Sequence, residues 1–122
     1  MSLPGLVRHL AQVESHWFQR VLPGRTDAPR LYGREDDPDW DFGGAVADPG
    51  VVQDAFATWK AEIARADDWL DALGVDGLGR EVPHGDGTVA TRDALVHVIE
   101  EYARHAFHAD LLRGCIDGRA GQ

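Results

Sequence analysis

The sequence predicts an all-α protein, a helical bundle with three main helices. Three observations carry that prediction. Apolar residues recur at intervals of three and four along three separate stretches, no stretch alternates as a strand would, and segments rich in proline, glycine and acid divide the stretches from one another. With 122 residues and 43% hydrophobic content, residues 1–122 make one domain with a single modest core.

The first helix runs from Leu3 to about Val21, with Leu6, Leu10, Val13 and Trp17 as its inward stripe. Ser2 caps it, Pro4 suits its first turn, and Pro23-Gly24 ends it. His9 and His16 lie on one edge of the stripe and Glu14 on the other. A long connection follows over about residues 23–47, containing EDDPDWDF. It is too acidic for a core element, and loops of this length are uncommon in compact domains unless they have a function. Trp40 and Phe42 pin it to the body, either as an anchored surface loop or as a lid over a pocket.

The second helix starts at Asp48-Pro49 and ends at Gly74. Phe56, Trp59, Ile63, Ala66, Leu70 and Leu73 repeat at threes and fours, with no ligand-type residue on that face, so this helix reads as scaffold. The HGDG sequence at His84–Gly87 suits a small turn or hairpin. The third helix begins at Thr91, a suitable N-cap, and ends near Gly118. Three helices with wide apolar stripes leave surface that a fourth would cover, so a second copy of the chain is expected to complete the bundle as a homodimer.

The third helix carries the chemistry. His97, Glu101, His105 and His108 follow one another at steps of four, four and three, which puts them on one stripe. Leu95, Val98, Tyr102 and Ala109 form a second stripe suited to the core. Imidazoles and a carboxylate on successive turns suit a divalent transition metal, and zinc or nickel fits this donor set best. One helix offers at most two good ligands to one ion, because groups more than a turn apart diverge. His9 is the best-placed third, giving His9, Glu101 and His105 with an open position for water or substrate. Taken singly, His105 also reads as a hydrogen-bonded interface histidine and Glu101 as an exposed acid in an i,i+4 pair. His97 and His108 are candidates to orient a ligand or shuttle a proton, or are plain surface residues. His16 reads as structural or pocket-lining, and His84 as a loop residue.

Composition removes other classes. A net charge of −9 repels nucleic acid, and the scattered arginines make no basic patch. No strand precedes HGDG, so it is no phosphate-binding loop. Cys115 lies near a helix C-terminus, where the dipole disfavours a thiolate. A single cysteine fits a reducing cytoplasm, and neither a signal-peptide core nor a continuous apolar span is present. The acidic surface offers an anionic substrate no anchor beyond the metal.

The stretches GLVRHLAQVESHWF and VHVIEEYARHAFHADLLRGCIDG, about a third of the chain, resemble the DinB/YfiT-like superfamily in sequence, order and separation. They are most similar to its actinobacterial branch of small proteins, related to mycothiol-dependent maleylpyruvate isomerase. The resemblance implies a four-helix bundle with a metal at one end, held by a histidine of an early helix and a pair four residues apart on a later one. That pattern falls on His9, Glu101 and His105, the set that spacing alone selects. Many members have histidine where this chain has Glu101. Members also carry a helix ahead of the histidine-bearing one, whereas this sequence starts almost directly on the latter, which implies either a start codon chosen late or a bundle completed by a partner. The implied function is that of a metal-dependent transferase or isomerase using mycothiol or another low-molecular-weight thiol on a small-molecule substrate. The alternative is a dimeric stress protein that binds a metal or small molecule without catalysis.

Overall fold

A computed structural model of the chain describes residues 2–118. Helix α1 (Leu3–Ser15) opens with Ser2 Oγ accepting from the Gly5 N–H at 3.1 Å, and Pro4 sits in its first turn. It continues without a break into a π-helical turn, His16–Val21, where the Leu22 N–H reaches back five residues to the Trp17 carbonyl at 2.9 Å. The 23–47 connection contains one short helix, α2 (Trp40–Gly43). Helix α3 (Pro49–Leu73) begins at an Asp48 cap that accepts from Gly50 and Val51, and it ends at Gly74, whose φ of 72° suits glycine. A 3₁₀ turn, Val75–Gly79, leads into strands β1 (Glu81–His84) and β2 (Gly87–Ala90). They pair antiparallel, Glu81 opposite Ala90 and His84 opposite Gly87, so the HGDG sequence is the tip of a hairpin. Helix α4 (Thr91–Asp117) follows directly and ends at Gly118 in the left-handed conformation.

The fold is therefore mostly helical, with one small hairpin. Helix α1 is the hub, packed against α3, α2 and α4. Val13, Trp17, Phe18, Val21 and Leu22 from α1 and its π turn meet Ala66 of α3, Val82 of β1, and Ala94 and Val98 of α4. Trp69, Leu70, Val89, Leu95 and Tyr102 close around them. No helix among the described residues is long and apolar enough to cross a membrane.

Two expectations need correction. Thr91 is not the cap of α4: Ala90 occupies that position, and the Thr91 N–H and hydroxyl both turn to the Arg80 carbonyl. The strand runs straight into the helix, so the Arg80 carbonyl satisfies the free N–H of the first helical residue, Thr91. Helix α3 also differs from expectation, because its buried face does hold a ligand-type residue, Glu62. Its innermost face is Ala55, Glu62 and Ala66, with Glu62 only 4% exposed, while Phe56 is exposed. Small residues let α3 approach α1 closely, and the larger apolar side chains flank that contact.

Candidate metal centre

His9 comes from the middle of α1, and Glu101 and His105 from successive turns of α4 where it crosses α1. One ligand-type atom from each lies within 4.8 Å of the other two. His9 Nε2 is 3.5 Å from Glu101 Oε2, and His105 Nε2 is 3.1 Å from the same oxygen. The His9 and His105 rings meet edge to face with centroids 4.5 Å apart. Two imidazole nitrogens and a carboxylate oxygen aimed at one point suit a divalent zinc- or nickel-type ion, so the residues fit the metal.

The ring of His9 is fixed from behind. Its Nδ1–H donates to Asp41 Oδ2 at 2.7 Å, which leaves the Nε2 lone pair facing Glu101. Asp41 is 2% exposed and lies 32 residues from His9 in sequence. Arg8, one residue before His9, holds the loop down: its Nε donates to the Asp41 carbonyl at 2.7 Å and its guanidinium to the Trp40 carbonyl at 2.8 Å. A Cβ on Gly44 would come within 2.5 Å of that guanidinium, so glycine lets the strap close here. Phe42 stacks on the His9 ring at 4.9 Å. The long acidic connection is thus an anchored loop that delivers a carboxylate and an aromatic ring to the back of His9.

Charges follow this geometry. Burial opposes protonation of His9, yet the Asp41 bond and the Asp41 and Glu101 charges outweigh it and raise its pKa. Burial would push the Asp41 and Glu101 carboxyls up, but their imidazole partners hold both below the usual range. His105, 7% exposed, is held low by burial and by its neighbour His9. An imidazole held neutral is the form that ligates.

The remaining histidines divide by position. His108 Nδ1 lies 3.4 Å from His105 Nδ1, behind that ring. His97 Nε2 lies 3.7 Å from Glu101 Oε1 and, with Glu101 and His9, bounds a cavity of about 360 Å³. Gln12, Val13, His16, Trp17, Arg30 and His84 line the rest of it. Arg30 lines the same cavity as His9 and Glu101. Folding brings Arg30, remote in sequence, to a wall that spacing cannot reveal.

A second polar chain crosses the core. The Trp59 Nε1–H donates to Tyr102 Oη at 2.9 Å, and the Tyr102 hydroxyl donates to Glu14 Oε1 at 2.8 Å. Burial, together with the charges of Asp67 and Glu62, raises the Glu14 pKa against that bond. The apolar stripe of α4 gave no hint that its tyrosine bonds an acid of α1.

Residues 1–118 match a protein-family model described as Mycothiol-S-transferase. Nothing among curated proteins or solved structures matches the chain.

Proposed function

The chain belongs to the mycothiol-S-transferase family, and on that premise we propose that it is a metal-dependent transferase that moves the sulfur of mycothiol, or a similar low-molecular-weight thiol, onto a small electrophile. The convergence of His9, Glu101 and His105, the first two of which line a cavity, carries this reading. A zinc or nickel ion held by these three would supply Lewis acidity that keeps a thiol ionised at neutral pH. Asp41 keeps His9 in the tautomer that offers Nε2, and Phe42 shields the back of that ring from water. His108 orients His105 from behind. His97, facing the cavity, accepts the thiol proton at an imidazole nitrogen and returns it to the product.

The proposal places the enzyme in the reducing cytoplasm, where its one cysteine, Cys115, stays free. It also makes the enzyme a homodimer. Val96, Ile99, Phe107 and Leu111 form an outward apolar stripe on α4, with Ile99 67% and Phe107 62% exposed, and a second copy offers the same stripe in return.

The test is mycothiol consumption by the full chain loaded with zinc or nickel, followed with a generic thiol-reactive electrophile. Turnover that chelation abolishes and metal restores is expected. Turnover indifferent to chelation, or none with either metal, overturns the reading.

A further inference from the structure

Of the three proposed metal ligands, His9 and Glu101 line the 360 Å³ cavity, and the rest of its wall has a distinct chemistry. Four of the chain's six histidines, His9, His16, His84 and His97, line it, and Arg30 is its one permanently charged cation. The only carboxylate on its wall is Glu101, which faces the metal position. This is a strong local reversal in a chain with 21 acidic and 12 basic residues.

Trp17 organises that wall. It is buried, and its ring lies 5.2 Å from His16, 5.0 Å from His84 and 5.5 Å from His97, centroid to centroid. The hairpin thus brings His84 against the π turn next to His16. The two also line an adjoining cavity of about 340 Å³ with Arg20 and Thr26. The Arg20 guanidinium is committed to the Thr26 and Ala28 carbonyls, which fixes its charge there. Arg30 differs: among the described residues its guanidinium has neither an ion-pair partner nor a hydrogen bond. Burial and the charges of Arg20, His84, Arg30 and His97 hold the His16 pKa down, so its imidazole stays neutral with an N–H to donate.

A free guanidinium flanked by imidazole donors, sharing a cavity with a metal centre, matches a ligand with one oxyanion. We infer that this part of the cavity wall is the subsite for a carboxylate on the electrophile, with Arg30 its anchor and His16 and His84 its hydrogen-bond donors. Mycothiol, a thiol on an uncharged sugar conjugate, brings no such group, so the anion belongs to the second substrate. The substrate class is a small electrophile with a carboxylate near its reactive carbon, such as an α,β-unsaturated acid. In the addition the thiolate sulfur bonds to the β-carbon, the π pair moves to the α-carbon, and that carbon takes up the proton the thiol lost. No oxidant or reductant takes part.

The assignment of the reacting group rests on the transferase reading; the anion subsite does not. The test uses two probes sharing one alkene, monomethyl fumarate (one carboxylate) and dimethyl fumarate (none). It compares wild type, Arg30→Ala and a control, Arg25→Ala, whose arginine lies outside this cavity. The ratio of kcat/KM values, acid over diester, is expected to fall about tenfold in Arg30→Ala, mainly through KM, and to hold in Arg25→Ala. Binding is read separately with unreactive monomethyl succinate, which is expected to shift the His16 and His84 ring resonances in NMR spectra of wild type but not of Arg30→Ala. Thiol transfer to the diester with an unchanged ratio in Arg30→Ala overturns the subsite and leaves the transferase reading standing. Succinate-ester shifts that need Arg30, in a protein that transfers no thiol, sustain the subsite and remove the transferase reading.

Discussion

Asp41 and His9 meet at 2.7 Å where water hardly reaches, and this bond decides which nitrogen of His9 faces the centre. Asp41→Asn keeps an acceptor of the same shape but loses the charge that strengthens the imidazole as a donor to metal. It is expected to weaken zinc binding by about 10- to 100-fold with the fold unchanged, as chelator competition and circular dichroism would show. Unchanged affinity would make Asp41 a fastener of the loop alone. Glu14 presents the opposite case, an acid whose pKa the fold raises. Its ionisation penalty is absent below the unfolded value of 4.5 and complete above the raised folded value. Glu14→Gln keeps an acceptor for Tyr102, so its melting temperature should match wild type in acid and exceed it by a few degrees at neutral pH. An equal difference at both pH values would contradict this. The pairing of Glu101 with His105 was legible in sequence because a helix forces residues 101 and 105 onto one face. Asp41 was not, since it is one of five acids between Glu35 and Asp41 and only the Arg8 clamp singles it out.

At the scale of elements, strong periodicity gave α1, α3 and α4 with their ends close to the observed ones, because Ser2, Asp48, Gly74 and Gly118 act locally. The π turn left no such mark: it keeps Trp17, Phe18, Val21 and Leu22 all buried, an outcome set by tertiary packing. The inner face of α3 was misread for a related reason. A stripe of large apolar residues marks the face that can be buried, whereas the closest approach between helices follows the small residues, here Ala55 and Ala66. The acidic connection proved to be an anchored strap. Arg8 lies over the Tyr32 ring at 4.0 Å and Arg34 over the Trp40 ring at 4.4 Å, contacts that composition does not reveal.

Across the whole molecule, α1 is covered on several sides while α4 keeps an apolar stripe turned outward. If a second copy covers it, wild type has twice the chain mass by light scattering and Phe107→Lys shifts it to the monomer; a wild-type monomer at micromolar concentration contradicts the dimer. The same crossing of α1 and α4 brings His9, Glu101 and His105 together, so the fold and the candidate site stand on one set of contacts. The most direct measurement is the metal content of the full, untagged chain by mass spectrometry, after zinc or nickel reconstitution, in wild type and His105→Ala. One ion per chain in wild type and none in the variant is the predicted result. Equal metal in both proteins, or no metal in either, would contradict the assignment of His9, Glu101 and His105 as its ligands.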